Sequence, residues 1–403
     1  MNVIVQKFGG SSLGTEESRT IAAKKVIAAA ESGHGIVVVV SAMGRSPSPY
    51  ATDMLFDLMG AVSDGMTREL DLALSCGETV SAALFAVLLQ RLGLAASALT
   101  GWQAGIVTDC SYGEARIRKV RPERIQEDLD EGRVVVVAGF QGGTEQGEIT
   151  TLGRGGSDVT AAALGCALHA DRIEIFTDVD GIMTADPRIV PAAARVRRMT
   201  YREVCEMAHL GAGVIHPRAA EIAMEGGVPL WIKNTFSDDE GTLIADRARV
   251  VEGVPIPGDN VVTGIAHVGG LALVQVAFEV GPDLSLDLLR ALADAGMSLD
   301  LINVSPGRMS FTIKEGQADA ASDLLSGFPV EASVQLGFAK ISAVGAGMRG
   351  VPGVMASIVE GLRRADVQIH QTADSHTSIS CLVKAEDLPA AARALHEQFT
   401  LSL

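Results

Sequence analysis

The sequence is short of basic side chains: among 403 residues, 33 Lys and Arg face 49 Asp and Glu, a formal net charge of -16. A nucleic acid or an anionic membrane needs a basic face to bind, so neither is expected as a partner. A local basic pocket for a phosphate remains compatible with that balance. Cysteine is scarce as well. Cys76, Cys110, Cys166, Cys205 and Cys381 are scattered, odd in number and free of CxxC or Cys/His ligand spacing. This argues for a reduced compartment and against structural zinc. Long hydrophobic runs are missing too: Ile36–Val40 and Val134–Ala138 are of strand length, far short of a membrane span. The opening MNVIVQKFGGSS breaks into Lys7 and glycines too soon for a secretory leader. A soluble, cytoplasmic protein is expected. Its 47% hydrophobic content suffices for a large core in two or three domains.

Hydrophobic patterning divides the chain. Val3–Phe8 reads as a buried strand, Gly9–Gly14 as a turn, and Thr15 to Ser32 as a helix with Thr15 at the N-cap, followed by the strand Gly35–Val40. This is a βαβ unit whose near-continuous Val/Ile runs predict an α/β fold with a mainly parallel sheet covered on both faces. Helices are predicted at about Thr67–Leu74 and Thr79–Leu92, separated by Ser75–Thr79, and at about Pro122–Asp130. A strand at Arg133–Ala138, a glycine-rich Gly139–Gly147 and a helix at Ser157–His169 come next. Strands at Arg172–Phe176 and Pro229–Asn234 enclose helices at about Tyr201–Ala208 and His216–Met224. Residues 246–260, rich in Pro and Gly, read as a linker. Beyond it Ala291–Ile302 and Gly361–Thr372 match at the same offset (Leu292 with Leu362, Met297 with Val367, Leu299 with Ile369). A period of about 70 residues is too long for a solenoid and predicts two copies of a small βαββαβ domain.

The stretch Thr151–Ala163, TLGRGGSDVTAAA, joins a glycine turn to an Ala-rich helix and gathers Arg154, Gly155, Gly156, Ser157 and Asp158 at the junction. Unpaired N–H groups and the positive end of the helix favour an anion there, and a guanidinium grips a carboxylate or phosphate with two bonds. An ordinary loop, with Ser157 or Asp158 as N-cap and Arg154 in solvent, satisfies the same residues. Lys7-Phe-Gly-Gly-Ser-Ser12 places a lysine and backbone donors at a strand end, where open α/β sheets collect ligands. It is no Walker loop, because Thr15-Glu16 follows Gly14 where Lys and Ser/Thr are required. Glu78 lies in the inter-helix SCGET segment and becomes informative only for a ligand with an ammonium group. Thr177-Asp-Val-Asp-Gly181 and Thr184-Ala-Asp-Pro-Arg188 can serve ribose and phosphate, or an Asx-turn and a helix stop. Gly345-Ala-Gly-Met-Arg-Gly350 imitates a dinucleotide fingerprint, but the following strand, taken as Gln368–Thr372, has no acid at its end. It is set aside.

Together KFGGSS, VVVVSAMG (from Val37), SCGET, TLGRGGSD and FTDVDGIMTADPR (from Phe176) resemble the aspartokinases, in that family's order and over essentially the whole chain. The resemblance implies an amino-acid-kinase fold over residues 1–245, the linker 246–260, and two α+β, ferredoxin-like ACT domains at 261–337 and 338–403. The first strand after the linker, near Val261–His267, is expected to pair with the second copy. The implied reaction moves the ATP γ-phosphoryl group, with Mg²⁺, to the β-carboxylate of L-aspartate. Lys7, Arg154 and Asp158 are the implied catalytic residues. Arg154 takes the aspartate α-carboxylate, Glu78 its ammonium, and Ser41, Thr52, Gly155, Gly156 and Ser157 complete the substrate site. Lys7, Phe8, Gly9, Gly10, Ser11, Thr177, Asp178, Asp180, Gly181, Asp186, Pro187 and Arg188 line the ATP side. No protein metal ligand is implied. A family lysine before the HPR-like segment is missing at Gly213, and Lys233 is the candidate substitute.

The ACT resemblance further implies feedback by an amino-acid end product and homo-oligomers formed through these domains. Its seam would be Met348, Gly350, Val351, Pro352, Gly353, Ile369, His370, Gln371 and Thr372. The sequence QTADSHT at Gln371 most resembles the diaminopimelate-sensitive type, with lysine, or lysine with threonine, as the alternative. Glutamate, acetylglutamate, carbamate and uridylate kinases are enzymatic rivals, against which SCGET and the tandem repeat argue. A non-catalytic amino-acid sensor is the rival of another class, favoured only by Gly213.

Overall fold

The structure, a computed structural model, describes residues 2–60, 65, 67–246, 261–279, 284–348 and 351–401. Most of the expected linker, and Gly350 of the expected effector seam, lie outside them. The described residues fall into two units. One holds those up to Ile182, Arg195–Ala208 and those from Gly213 to 246; the other holds Met183–Ala194, His209–Ala212 and those from 261 onward.

In chain order the first unit has strands β1 (Val3–Phe8), β2 (Gly35–Val40), β3 (Ala96–Leu99), β4 (Ile106–Thr108), β5 (Ile117–Val120), β6 (Val134–Ala138), β7 (Gln141–Gly143), β8 (Ile149–Thr151), β9 (Arg172–Thr177), β10 (Arg198–Thr200), β11 (Leu230–Asn234) and β12 (Thr242–Ala245). The helices of the same stretch are α1 (Gly10–Leu13), α2 (Glu16–Glu31), α3 (Thr52–Gly60), α4 (Arg68–Arg91), α5 (Glu123–Asp130), α6 (Gly156–Ala167), α7 (Tyr201–His209) and α8 (Pro217–Gly226). An eight-stranded sheet runs β10-β12-β11-β9-β1-β2-β6-β3, parallel apart from the β11–β12 pair. Every residue of β2 and β6 is buried, as expected of strands covered on both faces. Strands β5-β4-β7-β8 make a separate small sheet, so part of the glycine-rich Gly139–Gly147 segment is strand.

Two local expectations need correction. Gly9–Gly14 contains a short helix, α1, and the two helices predicted around SCGET are one, α4. The polar cluster does not break that helix because its hydroxyls are satisfied inside it: Ser75 Oγ donates to Leu72 O at 2.8 Å and Thr79 Oγ1 to Ser75 O at 2.8 Å. Glu78 therefore sits in mid-helix. By length and composition α4 could cross a membrane, yet it buries Asp71 and Glu78 and packs on β3, β6 and β8. One face of α4 is thus packed in the core, while Leu72, Val80, Leu84 and Val87 are exposed.

The second unit repeats itself. Its strands are β13 (Gly264–Ala277), β14 (Asp300–Ser305), β15 (Arg308–Lys314), β16 (Glu331–Val344), β17 (Gln371–Asp374) and β18 (Ser378–Lys384), with helices α9 (Leu284–Asp294), α10 (Ala318–Ser326), α11 (Val354–Arg364) and α12 (Leu388–Gln398). One six-stranded sheet, β14-β15-β13-β16-β18-β17, serves both copies. Leu292 and Leu362 are each fully buried, in separate apolar clusters. On β13, Gly264–His267 pairs with Ile341–Val344, while Leu271–Ala277 runs beside β15. The strand taken as Gln368–Thr372 is β17, and it ends in Asp374. An acid is thus present after all, but β17 pairs antiparallel to β18, so this strand is not the parallel second strand that a Rossmann unit requires.

Candidate active site

Alternation along β1 turns Gln6 and Phe8 to one face of the sheet and Lys7 to the other. The Phe8 ring stacks on Phe176 at 4.7 Å and is fully buried. Of the expected ATP-side residues, Phe8 is therefore a core residue with no surface to offer a ligand. Lys7 reaches a cavity of about 300 Å³ lined by Gly9, Gly10, Ser11, Ser41, Ala42, Gly44, Arg45, Ala51, Thr52, Asp53, Thr177 and Asp178. The Lys7 Nζ lies 2.6 Å from Asp158 Oδ1, both side chains being 12% exposed. A Cβ on Gly10 would come within 2.8 Å of Gly44 O and 2.9 Å of Ala42 O, so glycine is what lets the two strand-end loops meet.

Glu78 approaches the same cavity from α4. It is 2% exposed. Its Oε1 accepts from Ala42 N at 3.1 Å and, at 3.5 Å, from Thr52 Oγ1, whereas Oε2 has no hydrogen-bond partner. Burial outweighs these bonds and pushes the carboxyl up to about 8. A cationic ligand group would reverse that shift and satisfy the free oxygen.

The Arg154 loop leaves β8 and enters α6 through Gly155, which is the N-cap at φ 70° and carries no side-chain cap. Neither Ser157 nor Asp158 caps the helix; both are buried in its first turn. Gly156 is packed against Phe140 and Leu152. Arg154 is exposed, without an ion-pair partner among the described residues. It is not among the residues lining the cavity, to which its loop is linked through Asp158 and Lys7.

The nucleotide-side residues separate. Thr177 and Asp178 line the cavity. Asp180 accepts from Asn234 Nδ2 at 2.7 Å, and Gly181 is buried against Thr242. Asp186, Pro187 and Arg188 belong to the second unit. There the Asp186 carboxylate takes the Arg188 guanidinium at 2.7 Å and is held below its ordinary range by it.

Residues 2–234 match the model of the amino acid kinase family, and residues 333–397 match an ACT domain. Aspartokinase 1 of Bacillus subtilis is 45% identical over the full length of both chains. The aspartokinase of Corynebacterium glutamicum is 41% identical over all of this chain and 97% of its own. The chain belongs to the aspartokinase family. The fold agrees: the structure of E. coli aspartokinase III in complex with lysine and aspartate superposes with a TM-score of 0.77 at 25% identity, over 98% of this chain and 99% of that one. The enzyme is accordingly a phosphotransferase of aspartokinase type with an ACT regulatory region.

Membership sharpens the question of the lysine absent at Gly213. Lys233 does not replace it. Its Nζ is 2.9 Å from Glu174 Oε1, on the face shared with Gln6, opposite Lys7. Lys233 and the Arg172 and Gln6 hydrogen bonds hold the buried Glu174 carboxyl below its ordinary value, so Lys233 is committed to that charge. Arg45 and Asp53, both lining the cavity, went unnoticed in the sequence because Arg45 opens a Ser/Pro loop that carries no periodicity and Asp53 lies in the first turn of α3 just beyond it. Asp71 went unnoticed too, although an acid at the spacing of Glu78 minus seven on an apolar helix face is a readable signal.

In the expected effector seam, Met348 is buried and Val351, Pro352 and Gly353 are exposed just before α11. Ile369 and His370 precede β17 and Gln371 and Thr372 begin it, a shift from the predicted strand. The His370 ring meets Phe338 edge-on at 5.0 Å, and its buried Nε2 has no hydrogen-bond partner.

Proposed function

We propose that the enzyme transfers the γ-phosphoryl group of ATP to the β-carboxylate of L-aspartate, forming ADP and 4-phospho-L-aspartate, the entry to lysine, diaminopimelate, threonine and methionine. The observation that carries the reading is the buried Glu78 carboxyl with one unpartnered oxygen, beside a cavity that Lys7 enters. In this reading Glu78 accepts the aspartate ammonium, the unpaired Arg154 takes the α-carboxylate, and Ser41, Thr52 and the N–H groups of Gly155–Ser157 orient the remainder. A β-carboxylate oxygen attacks the γ-phosphorus, the bond to the β–γ bridging oxygen breaks, and its electron pair leaves with ADP. A carboxylate is already a nucleophile, so catalysis consists of positioning and charge neutralisation. Lys7 supplies the ammonium, and Asp158 holds it in place at the strand end.

Gly9, Gly10, Ser11, Thr177 and Asp178 are assigned to the nucleotide. Asp180, Gly181, Asp186, Pro187 and Arg188 are assigned with them on the family resemblance. No three of His, Cys, Asp and Glu converge as a metal cage among the described residues. Mg²⁺ carried on the phosphates needs only one or two protein ligands, and Asp178, which lines the cavity, would supply one. When bound, the ion would offset phosphoryl charge.

For regulation, the proposed domains are ACT copies at 261–337 and 338–403, assembled into a homo-oligomer. The effector is diaminopimelate, with lysine or lysine plus threonine as the alternative, at Met348, Gly350–Gly353 and Ile369–Thr372. A hydroxamate assay with ATP and aspartate tests the activity. In it Arg154→Ala and Glu78→Gln each raise the aspartate KM by about 10- to 100-fold, the value of a charged hydrogen bond, with the ATP KM near wild type. Unchanged aspartate kinetics in either variant would overturn the site assignment.

A further inference from the structure

Asp71 lies on α4 two turns before Glu78, is fully buried, and does not line the cavity. Its carboxylate is saturated. Gly113 N donates to both oxygens at 3.0 Å, Thr151 N to Oδ2 at 2.7 Å, and Thr151 Oγ1 to Oδ1 at 2.8 Å. Burying a charge where an apolar side chain would pack is costly, so its retention at this depth calls for a reason beyond packing.

Thr151 ends β8 and opens the stretch that carries Arg154 three residues later. That stretch passes through Gly153 and Gly155, both at positive φ, and glycine lends a loop no stiffness of its own. Its root must be held from outside. A second tie lies one turn along α4, where Gln141 Nε2 donates to Ser75 O at 2.7 Å. Ala115 N in turn donates to Thr151 O at 2.9 Å. The helix bearing Glu78 is thus bolted to the strand that delivers Arg154.

We propose that Asp71 is a positioning residue for aspartate, fixing the spacing between the groups at 78 and 154. The inference rests on the reading that those two side chains grasp opposite ends of the substrate. Two charges gripping a small zwitterion must hold their separation to within about 0.5 Å, so a loose root weakens binding before it weakens chemistry.

The test is steady-state kinetics for both substrates on Asp71→Asn, Thr151→Val, Thr151→Ser, Arg154→Ala and the double variant Asp71→Asn/Arg154→Ala. An asparagine turns an NH₂ against donors, so Asp71→Asn is expected to raise the aspartate KM about tenfold while the ATP KM and kcat stay close to wild type. Thr151→Val shows a smaller rise and Thr151→Ser restores the wild-type value. The double variant matches Arg154→Ala alone, because a misplaced guanidinium that has been removed costs nothing more. An unchanged aspartate KM, a parallel loss in both substrates, or full additivity in the double variant would refute the role of Asp71 while leaving the site intact. Should Asp71→Asn not fold, the Thr151→Val and Thr151→Ser pair decides in the same sense. A silent Arg154→Ala is a different result, which removes the site reading and Asp71 with it.

Discussion

At the residue scale, Glu78 is the group whose titration can be followed. Its carboxyl is raised from the ordinary 4.5 to about 8 by desolvation. Between those values the folded state keeps a proton that the unfolded chain has lost, so this group's contribution to stability falls as pH rises. The difference in melting temperature between wild type and Glu78→Gln, without ligand, is therefore expected to shift against wild type from about pH 5 to about pH 8. A pH-independent difference would mean that Glu78 is not perturbed. Ligand binding has the opposite sign: an ammonium stabilises the ionised carboxylate, so the wild-type aspartate KM falls across the approach to pH 8. The Gln variant should lack that component of the profile.

At the element scale, α4 carries both Glu78 and Asp71, and Gly77 is the residue that lets it approach the loop lining the cavity. A Cβ there would lie 2.9 Å from Tyr50 O and 3.0 Å from Ala42 Cβ. Replacing a mid-helix glycine by alanine normally stabilises by about 1 kcal/mol, whereas overpacking against a backbone atom costs about 1–3 kcal/mol. The clash falls on the loop that supplies Ala42 N to Glu78. Gly77→Ala is thus expected to lower the melting temperature and raise the aspartate KM. A more stable variant with wild-type kinetics would show that the helix and the loop need not approach so closely.

At the scale of the whole molecule, a sheet enzyme is followed by a duplicated α+β region whose two copies share one sheet. His370 stands at the expected effector seam. Burial and the neighbouring Lys384 lower its pKa, which leaves the ring neutral near pH 7, able to donate to a ligand carboxylate or accept from its ammonium. An inhibition panel of diaminopimelate, lysine, threonine and lysine with threonine identifies the effector. His370→Ala should weaken inhibition by that effector and leave the uninhibited aspartate KM unchanged. Inhibition of wild-type strength in the variant would move the effector site elsewhere.

Much of this was legible in order along the chain, because strand and helix periodicity is a local property. The Val/Ile runs of β1, β2 and β6, the Thr15-capped α2, and the burial of Leu292 and Leu362 at equal offsets all follow from neighbours in sequence. Motif order alone also pointed to the aspartokinases. Tertiary structure decided what depends on distant partners. Satisfied hydroxyls made SCGET one helix, Glu174 claimed Lys233, the aromatic stack took Phe8 into the core, and the segment bearing Asp186 and Arg188 joined the second unit. The pairing of Asp71 with Thr151, 80 residues away, could not be read from spacing. Hydrogen bonds and burial between remote segments arise only once the chain has closed on itself, and no periodicity records them beforehand.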